Sequence, residues 1–396
     1  MLHRILLSIV ATLLVVSLAI AQPHSGDISG TWSGTFDING DCYVPSNRTC
    51  TFLAGTQVRF MSTAEQDHWQ IRVDEGATLN GQGTELNPVL FTAHPDWPQQ
   101  PGTWKALIAD GVQDNPATMT LTNCEVRFGG ELEAVSFMDP DGVIQCWDHS
   151  VVRVTHCNVH DNFGSGVCSA HSTMGESNLL TLTDNRIERC AVGIKISITP
   201  LENTKVLRNW AEACTTGMKL RMDPEIAVIS VKNNIIVNSL TQGVYSEITP
   251  GSFFNNVIDG TGANSDGIHV DFPRWTALPG YLGNNIITNT GGYAIFVHPT
   301  QPVPYSVSSC YYQFGTGPTS GVRNVGCITT DPWFTAGFGD ENYYHLQWDS
   351  PCLEQGNDDP EMYNSNPAES RGDIGAYGGP ELEPQDKAIL ISLSKP

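Results

Sequence analysis

Asn233-Asn234-Ile235-Ile236-Val237-Asn238 is one copy of a short phrase that recurs along this chain. The phrase consists of Asn or Cys, any residue, an aliphatic residue, two further residues and then Asn, Cys or Gly. Its copies begin at Cys124, Cys157, Asn185, Asn209, Asn233, Asn255 and Asn284, in steps of 33, 28, 24, 24, 22 and 29 residues. A repeat of about one coil of chain, with no helical periodicity between copies, predicts a β-solenoid.

Each repeat also contains a second apolar strand that opens with glycine, as in Gly193-Ile194-Lys195-Ile196-Ser197. Successive side chains along a strand point to opposite faces. This alternation predicts a set of inward side chains, namely Ile194, Ile196, Met218, Leu220, Val244, Ile268 and Val270. The recurring asparagines predict a ladder in which the side-chain amides of successive coils hydrogen-bond to one another.

The chain divides into five segments. Residues 1–21 are predicted to be a cleavable signal peptide, because Arg4 precedes a long apolar run that ends in the small-residue site Ala19-Ile20-Ala21. We expect an N-terminal cap with irregular first coils at 22–117, regular coils at 118–300, a C-terminal cap at 301–380 and a tail at 381–396. No later segment is apolar enough for a transmembrane helix, so the predicted location is extracellular or periplasmic.

The sequence is strongly acidic. Asp and Glu number 42 against 20 Lys and Arg, which gives a formal net charge of −22. This charge disfavours nucleic acids and anionic membranes as partners, because both are polyanions. A polyanionic substrate would need a bridging cation or a locally basic groove.

Eleven cysteines in a chain predicted to be exported permit disulfide bonds, and the odd number leaves at least one thiol unpaired. Cys42 and Cys50 bracket a short turn and are the first candidate pair. Cys310 and Cys327 flank a glycine-rich loop and are the second. Other cysteines fall at matching repeat positions, where disulfides and stacked buried thiols explain the pattern equally well: Cys124 with Cys157, and Cys190 with Cys214.

Phrases at both ends of the chain carry a family resemblance. They are Ala54-Gly55-Thr56-Gln57-Val58-Arg59-Phe60 and Asn87-Pro88-Val89-Leu90-Phe91-Thr92 near the start, and Ser350-Pro351-Cys352-Leu353 and Gly372-Asp373-Ile374-Gly375-Ala376-Tyr377 near the end. With these phrases the chain resembles bacterial secreted proteins of the pectin-lyase-like fold. The resemblance implies an all-β, right-handed parallel β-helix over most of the chain. It implies no single activity, since that group includes lyases, hydrolases and adhesins.

Two catalytic subfamilies can be tested directly. The Asp-Pro-His-Asp signature of alginate epimerases is absent, and Asp139-Pro140-Asp141 is interpreted as a turn. Asn264-Ser265-Asp266-Gly267 is similar to the Asn-Thr-Asp-Gly element of polygalacturonases. The paired aspartates and the Gly-His-Gly and Arg-Ile-Lys elements that accompany it in that family are absent. The resemblance therefore gives a fold without a complete catalytic set.

Enzymes of the pectin-lyase-like fold place their clefts on an outer parallel sheet, so the outward residues of the second strand are the first candidates for a site. Aligning the repeats on the strand glycine gives two columns. The first runs Cys168, Lys195, Lys219, Tyr245 and His269, and the second runs Ala170, Ser197, Arg221, Glu247 and Asp271. Phe296 and His298 are their candidate continuation.

The columns suggest catalytic chemistry. Glu247 and Asp271 on adjacent coils would lie roughly 5 Å apart, a spacing suited to sharing Ca²⁺ and to a retaining glycosidase pair. Arg221 or Lys219 could neutralise a uronate carboxylate or abstract the proton beside it. These four residues are the candidate catalytic set, and Glu247 with Asp271 is the candidate calcium site.

The same columns have simpler explanations. Lys195, Tyr245 and His269 are candidates for binding a substrate without any catalysis, with Tyr245 and His269 stacking on sugar rings. A solvated ladder in which Arg221 pairs with Glu247 needs no ligand at all. A second cluster, His149, His156 and His160 near Cys157, could suggest copper or zinc, but His156 and His160 bracket a turn.

Three hypotheses follow. The first is an exported β-helix that binds extracellular or cell-envelope polysaccharide through its outer sheet face and requires no cofactor. The second is a Ca²⁺-dependent polysaccharide lyase or glycoside hydrolase that acts on acidic glycans. The third is a structural or adhesive surface protein without catalysis.

Overall fold

The computed structural model describes residues 23–62, 68–130, 141–169, 178–198, 204–222, 229–247, 252–271, 281–299, 303–335, 344–357 and 372–377. Within these ranges the regular secondary structure is entirely β. The strands are β1 (His24–Asp27), β2 (Gly30–Trp32), β3 (Thr35–Val44), β4 (Thr49–Leu53), β5 (Gln57–Phe60), β6 (Ile71–Val73), β7 (Thr78–Gln82), β8 (Val89–Ala93), β9 (Leu107–Ala109), β10 (Thr118–Thr122), β11 (Cys124–Arg127), β12 (Gly142–Cys146), β13 (Val151–Thr155), β14 (Asn158–His160), β15 (Ser165–Ser169), β16 (Leu179–Thr183), β17 (Arg186–Glu188), β18 (Val192–Ile198), β19 (Thr204–Leu207), β20 (Trp210–Glu212), β21 (Thr216–Met222), β22 (Ile229–Lys232), β23 (Ile235–Val237), β24 (Val244–Ser246), β25 (Ser252–Phe254), β26 (Val257–Asp259), β27 (Ile268–Val270), β28 (Tyr281–Gly283), β29 (Ile286–Thr290), β30 (Tyr293–Val297), β31 (Tyr305–Val307), β32 (Cys310–Phe314), β33 (Gly317–Ser320) and β34 (Arg323–Val325).

Three parallel sheets run the length of the molecule, because from β4 onward each strand pairs with the strand three places further along the chain. Sheet 1 consists of β2, β4, β7, β10, β13, β16, β19, β22, β25, β28, β31 and β34. Sheet 2 consists of β5, β8, β11, β14, β17, β20, β23, β26, β29 and β32, and sheet 3 of β6, β9, β12, β15, β18, β21, β24, β27, β30 and β33. Sheets 2 and 3 are joined at one end by β3, which pairs with β5 and with β6. Three strands per turn and parallel pairing throughout make the chain a parallel β-helix, as predicted.

The core is a set of apolar columns that run along the inside of the coils. In sheet 3 one column passes through Ile194, Met218, Val244 and Ile268 in direct register. All seven side chains that the alternation predicted to point inward are fully buried. Burial of one aliphatic side chain contributes about 1.5–3 kcal/mol, so these columns supply much of the driving force for stacking the coils.

The predicted asparagine ladder is confirmed at the turn between sheets 1 and 2. The side-chain amides of Asn185, Asn209, Asn234 and Asn256 each donate to the side-chain oxygen of the next ladder residue, at 2.9–3.1 Å, and Asn285 ends the series. In the later coils the ladder residue is the second asparagine of each pair, one position after the start of the phrase. The first asparagine, such as Asn233 with φ 58°, takes the left-handed conformation of the turn, which Asn tolerates better than most residues.

The coil repeat continues past residue 300, where a cap was expected to begin. Strands β31 to β34 extend all three sheets as far as Val325. Residues 344–357 and 372–377, here called the C-terminal segment, pack against the outer side of sheet 2. They bury Ile235, Val257 and Ile286 in a second apolar cluster, together with Tyr344, Leu346, Cys352, Ile374 and Ala376. The C-terminal segment is therefore a lateral layer.

Hydrogen bonds fix the C-terminal segment to successive coils. Tyr344 donates its hydroxyl to Asp259 Oδ2 at 2.7 Å. Asn233 Nδ2 donates to the carbonyl oxygen of Ala376, and the amide of Gly375 donates to the carbonyl oxygen of Asn284 at 2.7 Å. Because these contacts span three coils, the layer holds them together from outside.

All eleven cysteines are free thiols in the structure, so neither candidate disulfide is confirmed. Cys42 and Cys50 are buried inward-pointing residues of β3 and β4, and the thiol of Cys42 contacts the carbonyl oxygens of His24 and Gly40. Cys327 directs its sulfur to the carbonyl oxygen of Ser306, 3.2 Å away, and Cys310 directs its own to that of Thr330.

The repeat-matched cysteines stack as thiols. The amide of Cys124 donates to the sulfur of Cys157 at 3.3 Å, which continues the ladder geometry with sulfur in place of an amide oxygen. Cys190 and Cys214 are likewise buried at matching positions of neighbouring coils, and their sulfur atoms contact the carbonyl oxygens of Glu188 and Glu212, at 3.4 Å and 3.5 Å. Of the two explanations that the sequence allowed, the structure has stacked buried thiols.

The predicted signal peptide and tail lie outside the described residues. Within the part of the chain that the structure describes, no helix has the length and apolar character required to cross a bilayer.

Candidate functional site

The outer face of sheet 3 carries the first predicted column in the expected order. Strand register places Lys195 opposite Cys168, Lys219 opposite Lys195, and Tyr245 opposite Lys219. His269 and then Phe296 continue the column on the next two coils. The glycine-based alignment therefore gave the correct register, including the coil that contains Phe296.

The second column has the same register. Ser197 lies opposite Arg221, and the amides of Glu247, Asp271 and His298 donate to carbonyl oxygens of the preceding coil. The backbone of Arg221 belongs to β21, but its side chain lies outside the described residues, as does Ala170. The structure thus aligns Glu247 and Asp271 on neighbouring coils, as the sequence predicted.

The first two members of the first column are buried, which corrects one expectation. Lys195 is 1% exposed and its Nζ lies 3.1 Å from Oδ2 of Asp141, which is equally buried. Ser165 donates its hydroxyl to the other oxygen of that carboxylate at 2.7 Å. Lys195 is therefore a partner in a buried ion pair, and it is not available to contact a ligand on the surface.

The next part of the column is a row of rings, here called the aromatic strip: Tyr245, His269 and Phe296. The Tyr245 and His269 rings are nearly parallel, with centroids 5.9 Å apart and planes 8° apart. The His269 and Phe296 centroids are 4.9 Å apart, with planes at 25°. All three side chains are partly exposed, so the strip is a surface feature three coils long.

Asp266 fixes the centre of the aromatic strip from the turn that precedes β27. Its Oδ2 lies 2.7 Å from Nδ1 of His269, and its Oδ1 accepts the amide of Tyr293 at 2.7 Å. The carboxylate thereby joins the histidine to the next coil and orients the imidazole. Tyr293 adds a fourth ring, 5.9 Å from Phe296.

Asp266 and Tyr293 were not among the predicted site residues. Asp266 precedes His269 by three positions, and Tyr293 precedes Phe296 by the same interval, so both lie where a coil enters sheet 3. A comparison of the positions three residues before the outward aromatic residue of each coil would have found this spacing, whereas an alignment of the outward strand positions alone does not include them.

Carboxylates border the aromatic strip on the side of the second column. Tyr245 donates its hydroxyl to Asp271 Oδ2 at 3.3 Å. Burial, together with the nearby charges of Asp271 and Glu247, raises the pKa of Tyr245 to about 12. The phenol therefore remains protonated at neutral pH and acts as a hydrogen-bond donor beside two acceptors.

The requirements for a bound cation are only partly met. Among the described residues, no group of three or more His, Cys, Asp or Glu side chains is placed to hold a metal ion. Glu247 and Asp271 alone would supply at most four of the six to eight oxygens that Ca²⁺ takes, with the rest coming from water or ligand. The calcium site stays a prediction.

Two members of the histidine cluster near Cys157, His156 and His160, lie beside carboxylates. His160 lies 2.7 Å from Asp161 and 3.3 Å from Glu125, and these carboxylates raise its pKa although burial acts to lower it. His156 Nε2 is 4.0 Å from Asp184, and Cys157 is buried in the ladder. His160 is thus a buried partner of two carboxylates, whereas His156 is 59% exposed beside one.

Comparisons with known proteins do not identify a family or an activity for the chain. No protein-family model and no curated protein matches the chain. The chain is similar to three solved structures of the periplasmic alginate epimerase AlgG, one without substitutions and two of variants. Sequence identity is 13%, and the alignments cover 75–76% of this chain and 77–83% of the others, with TM-scores of 0.41–0.42. At this level of similarity the site must be interpreted from its own geometry.

Proposed function

We propose that this chain is an exported β-helix protein that binds polysaccharide along the aromatic strip. The observation that carries the proposal is the row formed by Tyr245, His269 and Phe296, which follows the axis of the β-helix at one ring per coil. A polymer that lies along the axis would meet an equivalent ring at each step. Export is part of the proposal and rests on the predicted signal peptide.

The chemistry around the strip suits a sugar chain. A sugar ring has an apolar face and a rim of hydroxyl groups, so its binding sites combine aromatic surface with a few placed polar groups. Here Asp271 and Glu247 supply acceptors, and the phenol of Tyr245 supplies a donor at the edge. The bond from His269 to Asp266 holds the central ring in place, which reduces the conformational entropy lost on binding.

The charges favour a neutral glycan. Asp266, Asp271 and Glu247 all lie beside the strip, so the carboxylates outnumber Lys219, the described cation opposite Tyr245. Lys195, the cation predicted to contact substrate, is buried against Asp141. The whole chain has a formal net charge of −22. A polyuronate would be repelled by this surface unless cations screened or bridged the charges.

The proposal is tested by affinity electrophoresis of the mature protein in gels that contain a neutral β-glucan, a xylan or a polyuronate. Retardation is expected in at least one neutral gel. His269→Ala and Phe296→Ala should each weaken binding about tenfold, equivalent to about 1.4 kcal/mol for loss of one ring contact. The matched control is Trp348→Ala, which removes a ring that is 74% exposed on the C-terminal segment, away from the strip.

Two outcomes would reject the proposal. Retention by neutral glycan that is equal in wild type and in the Phe296→Ala variant would place binding elsewhere. No retention in any gel would favour the structural or adhesive hypothesis.

The enzyme hypothesis has its own test. A Ca²⁺-dependent lyase acting through Lys219, Arg221, Glu247 and Asp271 would generate unsaturated uronide ends, which absorb in the ultraviolet. The signal should require Ca²⁺ and vanish in Arg221→Ala. Hydrolysis would instead give new reducing ends without the ultraviolet absorbance, and these reducing ends should be lost in Glu247→Gln.

A further inference from the structure

The outward column of sheet 3 that contains the aromatic strip continues past the strip toward the start of the chain. Before Lys219 it passes through four residues in direct register: Ile108, Gln145, Cys168 and Lys195. All four are buried, and none is more than 6% exposed. This column is therefore covered along four coils, from β9 to β18.

The cover ends between β18 and the strip. Lys219, which follows Lys195 in the column, is partly exposed, as are the three rings of the strip. The second column changes in the same way, because Ser197 of β18 is buried whereas Glu247 and Asp271 are partly exposed. Both columns thus pass from buried to accessible over the same part of the β-helix.

The covered side of this boundary is held in place by the buried ion pair. The side chain of Lys195 reaches across β15, and its Nζ donates to Oδ2 of Asp141 at 3.1 Å. Ser165, which opens β15, donates its hydroxyl to the same carboxylate. Displacing either charged group to admit a ligand would leave the other buried and unpaired, which is strongly destabilising. The boundary before Lys219 is therefore fixed by the fold.

The other end of the strip is different. Phe296 lies opposite Ser320 in β33, which is the last strand of sheet 3 that the structure describes. Ser320 is partly exposed, so the column stays accessible to its last described residue. The strip is consequently asymmetric along the axis, with a covered end at Lys195 and an accessible end at Ser320.

We propose that the aromatic strip binds the ends of polysaccharide chains. The inference rests on the glycan binding proposed above and specifies which part of the polymer is bound. A stretch from the interior of a long chain has to continue beyond the site in both directions, so at Lys219 it would have to bend off the strip and give up ring contacts. A chain end continues in one direction only, past Phe296. The terminal sugar then lies over Tyr245, where Lys219 of the neighbouring coil can donate hydrogen bonds to its hydroxyl groups.

Affinity measurements with one neutral glycan at two chain lengths test the inference. The glycan is one that retards the mature protein in affinity electrophoresis. Part of it is cut with an endo-acting glycanase until the number of chain ends has risen about tenfold, while the chains remain much longer than the strip, and the glycanase is then removed. At equal mass concentration, the apparent Kd measured by isothermal titration calorimetry should be about tenfold lower for the cut glycan.

Two variants locate the bound ends. Phe296→Ala should weaken binding of the cut glycan about tenfold, whereas Trp348→Ala, at an exposed position of the C-terminal segment, should leave it unchanged. A preference for cut glycan with an affinity that Phe296→Ala does not alter would overturn the inference, because the ends would then bind elsewhere.

The inference and the proposed function fail in different ways. Equal affinity for cut and uncut glycan at equal mass would overturn chain-end binding while the glycan-binding proposal stands. Failure of every glycan to retard the protein would reject the proposed function and this inference with it. The comparison of the two preparations uses wild-type protein, so it remains decisive even if a variant fails to fold.

Discussion

Lys195 was expected on an open surface and instead forms a buried ion pair with Asp141. The strand register was predicted correctly, since Lys195 does lie between Cys168 and Lys219. Its burial could not be predicted, because Asp141 is 54 positions away and belongs to another coil. Periodicity shows which side of a strand a residue occupies, but it does not show what covers that side.

Removing one member of the Lys195–Asp141 ion pair should lower the free energy of unfolding. Lys195→Met leaves the Asp141 carboxylate buried without its cation, and we expect a loss of about 3–5 kcal/mol in the free energy of unfolding. Lys195→Met combined with Asp141→Asn should recover most of the loss, because the amide is neutral and can still accept from Ser165. Thermal and urea unfolding followed by circular dichroism measure both. Exposed Lys205→Met is the control, expected within about 0.5 kcal/mol of wild type.

His345 should make the protein sensitive to acid. It is buried, its ring stacks on Tyr377 at 3.6 Å, and its Nδ1 lacks a hydrogen-bond partner in the described structure. Burial lowers its pKa below 6.5, so below that pH the unfolded state binds a proton that the folded state resists. Titration of His345 should therefore leave the free energy of unfolding unchanged above about pH 6.5. Below that pH the free energy of unfolding should fall by up to about 1.4 kcal/mol per pH unit, until the folded-state pKa is reached.

His345→Phe keeps an aromatic ring against Tyr377 and removes the titration. Urea midpoints at pH 7 and pH 5 should differ less in this variant than in wild type. His160 has a raised pKa and the opposite pH dependence, but it is unchanged in both proteins, so the difference between them isolates His345. Equal pH dependence in the two proteins would contradict the assignment.

At the scale of the structural element, the asparagine ladder connects neighbouring coils, because each of its asparagines hydrogen-bonds to two of them. Asn256 donates to the carbonyl oxygen of Val231 at 3.0 Å and to Asn285 Oδ1 at 3.1 Å. Its own oxygen accepts the backbone amide and the side-chain amide of Asn234. The ladder was predictable from composition and period, whereas the choice between paired asparagines was not. That choice depends on which residue adopts positive φ.

Asn256→Ala should destabilise the coil stack by about 2–4 kcal/mol, since it leaves several buried donors and acceptors without partners at once. Asn324→Ala serves as the control, because the Asn324 side chain is exposed and, among the described residues, donates a hydrogen bond to nearby Thr319. Unfolding midpoints of the two variants give the comparison. If the ladder contributed little to stability, the Asn256→Ala and Asn324→Ala variants would have similar unfolding midpoints.

At the scale of the whole molecule, the chain consists of the coil stack and the lateral layer, and the two differ in whether the sequence predicts them. The coil stack was predictable, because its contacts repeat at one coil of sequence and leave a pattern of apolar and asparagine positions. The lateral layer was not, because the contact of Tyr344 with Asp259 spans 85 positions and occurs once. The aromatic strip falls between these cases. Its rings repeat once per coil, but Asp266, which hydrogen-bonds His269, belongs to a turn.

If the coil stack and the lateral layer are separable, a charge inserted between them should release the layer and leave the coils intact. Ile374 is 1% exposed and packs in the cluster with Ile286 and Cys352, so Ile374→Asp would bury an unpaired carboxylate. We expect the β circular dichroism signal to persist while limited proteolysis removes the C-terminal segment and a hydrophobic dye binds the uncovered Ile235 and Val257. Trp348→Asp, at a 74% exposed position of the same segment, should behave as wild type. Loss of the β signal in Ile374→Asp would instead mean that the coils do not remain folded without the lateral layer, because sheet 2 then exposes too much apolar surface.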